Sequence, residues 1–177
     1  RAAYDAKDYT EALRLLRPEA EKGSADAQAL LARLYGNGWG VPKDFNAAYK
    51  WARLAADQGE ASGQASLGFA YFNGYGVSQN HIEALRWNRL SAGQGNARGQ
   101  NNLGVAYQQG AGVTQNPTEA VNWYRLSAAQ GDPSAQSNLG RMYLNGSGVF
   151  RDYGKAVELF RLSAEQGSPL GQGNLRW

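Results

Sequence analysis

The sequence predicts an all-α fold, a solenoid of 36-residue helix hairpins, on three observations. Glycine supplies 23 of 177 residues, near twice the usual share. These glycines are periodic: Gly23, Gly59, Gly95, Gly131 and Gly167 stand 36 apart, as do Gly38, Gly74, Gly110 and Gly146, and Gly40, Gly76, Gly112 and Gly148. Leu31, Leu67, Leu103 and Leu139 keep the same step, with Tyr35, Tyr71, Tyr107 and Tyr143, and no insertion interrupts it from Gly23 to Leu175. Within each period the apolar positions recur at helical spacing.

In Ala97–Gln108 the recurring positions Gly99, Leu103, Ala106 and Tyr107 fall at i, i+4, i+7 and i+8, one face of an α-helix. This first helix of the period is helix A. A loop follows over Gly110–Asn116, carrying two glycines and Val113. Asn116 suits an N-cap and Pro117 the first helical position, which starts helix B over Pro117–Gln130. Gly131 ends it as a C′ residue. The same N-cap place holds Asp44, Asn80 and Asp152 in the other periods. Four full repeats are expected at 25–60, 61–96, 97–132 and 133–168, in a single repeat domain. Residues 1–24 form a partial unit, with Asp8–Glu21 aligned to helix B, and 169–177 open a fifth repeat. Such bare ends suggest a piece of a longer or processed protein. With the first half-unit and Leu175–Trp177 lacking neighbours, end-to-end self-association or fraying is expected there.

Gly68, Gly104 and Gly140 lie inside helix A, where glycine costs about 1 kcal/mol against alanine. Close passage of another helix is the expected compensation, and Ala32 at the same place fits it. Trp51, Trp87 and Trp123 on helix B are of the size to fill the gap between repeats.

Composition removes most chemistries. The chain has no Cys and one His, which excludes thiolate metal sites, disulfides and Cys nucleophiles. No apolar run approaches the roughly 20 residues of a membrane span. His81 sits where other repeats place Phe45, Pro117 and Tyr153, so it reads as a packing position. Asp44 and Asp152 read as caps. The G-x-G triplets follow no strand, so they are not phosphate loops. No catalytic residue, metal site or cofactor is expected. Residues 1–60 hold nine basic and nine acidic side chains and 61–177 nine and six, giving the net +3. That charge is too small to imply nucleic acid by itself. The Arg53, Arg89, Arg125 and Arg161 column has acidic neighbours within a turn or a repeat, and solvated ion pairs are expected for it.

The motif Ala135-Gln136, Leu139-Gly140, Tyr143, Gly146, Gly148-Val149, Asp152, Ala156, Arg161, Ala164 and Gln166-Gly167, preceded by Trp123-Tyr124-Arg125, resembles the Sel1-like repeat family. Tetratricopeptide repeats share the hairpin but have a shorter period and lack the glycine-rich loop. Leu54, Leu90, Leu126 and Leu162 depart from the Lys common in the family. The resemblance implies a right-handed α-α superhelix with helices B on the convex side. It also implies a non-catalytic scaffold or adaptor that binds a partner protein or extended peptide, commonly in bacterial envelope, secretion or signalling contexts. An inhibitor or immunity partner of a secreted bacterial enzyme, or a regulatory arm of a larger enzyme, are the alternatives.

In such a solenoid helices A line the concave side. Their core face is Ala27, Leu31, Leu34 and Tyr35, so the open stripe is expected at Leu30, Arg33 and Asn37, joined by Ala29. Its later members include Ser66, Phe69, Asn102, Val105, Asn138 and Arg141. Phe69 and Phe72 are expected as apolar anchors in an otherwise polar groove. Asn102, Asn138 and Asn174 repeat at 36, and such amides can satisfy the N–H and C=O of a bound peptide backbone. The other reading gives each Asn a bond within the stack. Leu30 and Ser66 lack the amide, which puts an expected peptide clamp in the C-terminal half.

Overall fold

The computed structural model describes residues 1–174, and the described residues form eleven helices. In order these are α1 (Ala2–Asp5), α2 (Tyr9–Glu21), α3 (Ala25–Asn37), α4 (Phe45–Asp57), α5 (Ala61–Asn73), α6 (His81–Gly93), α7 (Ala97–Gln109), α8 (Pro117–Ala129), α9 (Pro133–Asn145), α10 (Tyr153–Glu165) and α11 (Pro169–Asn174). From α3 onward, odd helices are helix A and even ones helix B, joined in hairpins of about 36 residues. Leu175–Trp177, one of the faces expected to associate or fray, lies outside the described residues.

The chain divides into two compact units, Arg1–Gln94 and Gly95–Trp177. In the first, Leu16, Leu30, Leu31, Leu34 and Tyr35 form one cluster, and Ala32, Ala52, Ala56, Leu67 and Trp87 another. In the second, Val121, Tyr124, Leu139, Met142, Tyr143 and Phe160 gather. Trp87 fills a gap between repeats as its size suggested.

Repeated polar residues fix the hairpin ends. Asp44, Asn80, Asn116 and Asp152 each accept a backbone N–H of the first turn of their helix B, removing one of the orphan donors of a helix start. Gln58, Gln94, Gln130 and Gln166, just past each helix B, donate to Gln28, Gln64, Gln100 and Gln136 on helix A of the same repeat, at 2.8–2.9 Å. Ser91, Ser127 and Ser163 donate to the first carbonyl of that helix A at 2.6–2.7 Å. All three serines are fully buried, where an unpaired hydroxyl would be costly. These ties hold the open ends of each hairpin together.

The G-x-G loop combines two backbone demands. Its first glycine ends helix A in the left-handed conformation, as Gly38 does at φ 71°. Its second lies on the start of the preceding repeat's helix B: a Cβ on Gly40 would stand 2.6 Å from the Tyr9 carbonyl carbon, and one on Gly76 2.8 Å from that of Phe45. Gly68, Gly104 and Gly140 answer to a side chain and not to a passing helix backbone, unlike Gly63, which lies against the backbone of Ala55 and Ala56. Asn88, Tyr124 and Phe160 of the same repeat fill the space a Cβ would take on Gly68, Gly104 and Gly140. Ala32 is tolerated because the corresponding helix-B residue is the small Ala52.

Candidate partner-binding surface

Helix A is hemmed in on several sides, and this decides which of its residues can meet a partner. In the first unit α3 packs against α2, α4 and α5; in the second α9 packs against α8, α10 and α11. The stripe expected from the sequence is accordingly narrower. Leu30 and Ala29 are 5% and 2% exposed, core residues and not groove residues, and Ser66 is buried as well. A single-helix wheel marks the face turned toward one neighbour; adjoining helices of the stack cover this second side too.

Of the stripe, Phe69 and Arg141 are exposed, as are Asn37, Gln109 and Asn145 at its far end, while Arg33 and Val105 are half-buried. Phe69 is 40% exposed, an apolar side chain at the surface as the stripe predicts. Arg33 is half-buried, its guanidinium carbon 5.4 Å from the centre of the Tyr4 ring. Val105 is half-buried against the second unit's core. Phe72 is not an open anchor: it is half-buried, its ring 5.1 Å from that of His81. That contact gives His81 the packing role its register implied.

At Asn138 the asparagine column is closed to a peptide. Asn138 is 6% exposed. Its amide nitrogen donates to Asn101 Oδ1 at 3.0 Å and its oxygen accepts from Arg141 Nη2 at 2.7 Å. Asn102 and Asn174 are half-buried. With its amide engaged inside the unit, Asn138 has the stack-organising role, and it aims the exposed Arg141 guanidinium.

The helix-B arginines find two kinds of partner. Arg53 pairs with Asp57 at 2.8 Å and Arg161 with Glu165 at 3.7 Å, the expected exposed ion pairs, each of modest value. Arg125 and Arg17 instead donate to the hydroxyls of Tyr143 and Tyr35, at 3.1 and 2.6 Å. Leu54, Leu90, Leu126 and Leu162 stand on the same helices, 37–51% exposed.

An aromatic edge on the first unit is the feature sequence reasoning missed. Trp39, between Gly38 and Gly40, stacks on Tyr9 with ring centres 4.8 Å apart and planes 11° from parallel. One repeat later Tyr75 stacks on Phe45 at 4.1 Å and 9°. Phe69 meets Tyr75 edge-on at 5.8 Å, and Tyr4 meets Tyr9 edge-on at the same distance. The signal was the residue between the two loop glycines: Trp39 and Tyr75 in the first unit, Ala111 and Ser147 in the second. Burial pushes the Tyr124 phenol well above the ordinary tyrosine range, and a hydrogen bond to Tyr49 raises that of Tyr71.

The repeat ladders have a match among known families. The Sel1 repeat matches four times, at residues 25–60, 61–96, 97–132 and 133–168. The chain belongs to the Sel1 repeat family.

Solved relatives agree with this Sel1 repeat architecture. A protective antigen present in uropathogenic Escherichia coli strains, displaying an SLR fold, is 40% identical with a TM-score of 0.73. The match covers 92% of this chain but 35% of the antigen, so the chain spans about a third of that relative's length. A Sel1 repeat protein from Oxalobacter formigenes is 36% identical over 97% of this chain and 68% of its own, with a TM-score of 0.72. Helicobacter pylori cysteine rich protein B, 23% identical over 74% of this chain and 94% of its own with a TM-score of 0.57, shares the fold. No curated protein matches the chain. Sel1 repeat proteins are in general non-catalytic scaffolds for protein interaction.

Proposed function

We propose that this Sel1 repeat chain is a protein-binding scaffold whose contact surface is the partly exposed strip of helix A, at Arg33, Phe69, Val105 and Arg141. One observation carries the reading. This register is exposed at Phe69 and Arg141 and half-buried at Arg33 and Val105, and its residues change from cation to aromatic to aliphatic. The capping and tying registers, and the buried Leu31, Leu67, Leu103 and Leu139, hold nearly constant. A position that the fold leaves at least partly exposed and that varies this widely is where a repeat protein places selectivity. Phe69 supplies an anchor of the type that dominates binding energy, and Arg141, steadied by Asn138, supplies a directed cation.

The test is affinity capture from the cell that makes the protein, followed by direct titration of the captured partner. Phe69→Ala and Arg141→Ala should each weaken binding by at least about tenfold, the effect of losing a hot-spot side chain, with the far-ultraviolet circular-dichroism spectrum of the folded chain retained. Capture of no partner by the native chain, or equal binding by both variants, would overturn the proposal.

A further inference from the structure

We infer that Asn145 is a site of spontaneous deamidation, a modification that the fold permits there and resists at the two other places where the sequence invites it. Asn37, Asn73 and Asn145 are each followed by glycine, and each is the last residue of its helix A; the third repeat has Gln109 at this register. An Asn-Gly pair reacts through its own backbone. The glycine nitrogen, having lost its proton to hydroxide, attacks the asparagine Cγ. An N–Cγ bond forms, the Cγ–Nδ2 bond breaks, and ammonia leaves with a proton taken from water. Water then opens the cyclic imide. Cleavage on the Cγ side leaves aspartate, and cleavage on the main-chain carbonyl side leaves isoaspartate. Glycine favours the attack because it has no Cβ to crowd its nitrogen. Gln109 would have to close a larger ring, which forms more slowly.

The three pairs share one backbone arrangement. Each glycine is left-handed and donates its N–H to the carbonyl four residues back, that of Leu34, Ala70 or Met142. Trp39, Tyr75 and Ser147, which follow, donate to the same three carbonyls at 3.0 Å. The glycine nitrogen is therefore released for reaction only when the last turn of the helix opens.

What opposes that opening differs between the units. Asn37 Nδ2 donates to the Arg33 carbonyl and Asn73 Nδ2 to that of Phe69, both at 2.9 Å. Among the described residues no hydrogen bond holds the Asn145 amide, which is exposed. In the first unit the loop is also pinned by a ring, Trp39 stacked on Tyr9 and Tyr75 on Phe45. Ser147 has no ring to pin. Gly146 is exposed, whereas Gly38 and Gly74 are half-buried. Side chain, loop and accessibility all single out Asn145. The product carries a carboxylate one turn from Arg141, so the charge of the strip proposed above would fall as the chain ages. The modification itself does not rest on the scaffold reading.

The test is incubation of the full chain in warm, mildly alkaline buffer, folded and in parallel unfolded in guanidinium chloride. Tryptic peptides taken over time are followed by mass spectrometry, with isoaspartate detected by enzymatic methyl transfer. In the folded chain Asn145 should deamidate at least about fivefold faster than Asn37 or Asn73, the combined effect of a missing hydrogen bond and a missing ring contact. In guanidinium the three should react at nearly equal rates. Tyr75→Ser, which installs the residue type of Ser147, should speed deamidation of Asn73 and leave Asn37 unchanged. Asn145→Gln should remove the isoaspartate signal from the peptide 142–151. Equal rates at the three sites of the folded chain, the same ranking in guanidinium, or no acceleration of Asn73 in Tyr75→Ser would each overturn the inference.

Discussion

Gly104→Ala separates the packing account of the helix-A glycines from a merely conformational one. Alanine in place of a helical glycine contributes about 1 kcal/mol through propensity alone. Against that, the new Cβ would stand 2.5 Å from Tyr124 Cδ1. The ring has little room to retreat, because Tyr124 is fully buried and its hydroxyl donates to Gln108 Oε1 at 2.6 Å. Overpacking of this kind costs about 1–3 kcal/mol, and a pinned ring belongs at the upper end, leaving a net loss of about 1–2 kcal/mol. In a Tyr124→Ala background, itself destabilised by about 3–5 kcal/mol, the obstacle is gone. There Gly104→Ala should stabilise by about 1 kcal/mol. The chain already carries that combination as Ala32 and Ala52, which share one core cluster. Urea melts of the four proteins, followed by far-ultraviolet circular dichroism, measure the cycle. A change of sign between backgrounds is the expected result. The same effect of Gly104→Ala in both would refute the packing explanation.

Three further outcomes follow from the same structure. Leu103, 1% exposed, should cost about 2–5 kcal/mol on Leu103→Ala in a denaturant melt; a cost under about 0.5 kcal/mol, the size of an ordinary surface change, would remove it from the core. Gln130→Ala cuts bonds to Gln100 Oε1 at 2.8 Å and the Gly95 carbonyl at 2.9 Å, so a loss of about 1–3 kcal/mol is expected, and Gln130→Glu, which cannot donate to either acceptor, should not restore it. The raised Tyr124 pKa means that the neutral phenol's contribution to stability is fully present below the unfolded value of about 10. It is lost as pH rises from there toward the folded value. Tyr124→Phe should therefore flatten part of the alkaline fall in stability, read from melts across that range.

The fold was legible because its determinants are local and repeated. Glycine at each helix-A end, Asp or Asn at each helix-B start and the helical spacing of Leu103 and its equivalents each reflect a constraint within one repeat. The site was legible only in part. Phe69 was found because one register of one helix predicts its exposure. Leu30, Ala29 and Asn138 were placed on the open stripe because what buries them comes from adjoining helices, which a helix wheel does not contain. The Gln130–Gln100 tie and the Trp39–Tyr9 stack join residues remote in sequence, so neither pairing was visible.

The central claim is that a partner meets helix A and not helix B. Phe69 and Leu54 make the comparison even-handed, since they are 40% and 48% exposed and lie in the same unit. A photo-reactive benzophenone amino acid placed at one position or the other, with the captured partner added before irradiation, reads which face is covered. Cross-linking from position 69 and none above background from position 54 is the predicted result. Cross-linking from position 54 alone would put the partner on the exposed leucines of helix B and contradict the account.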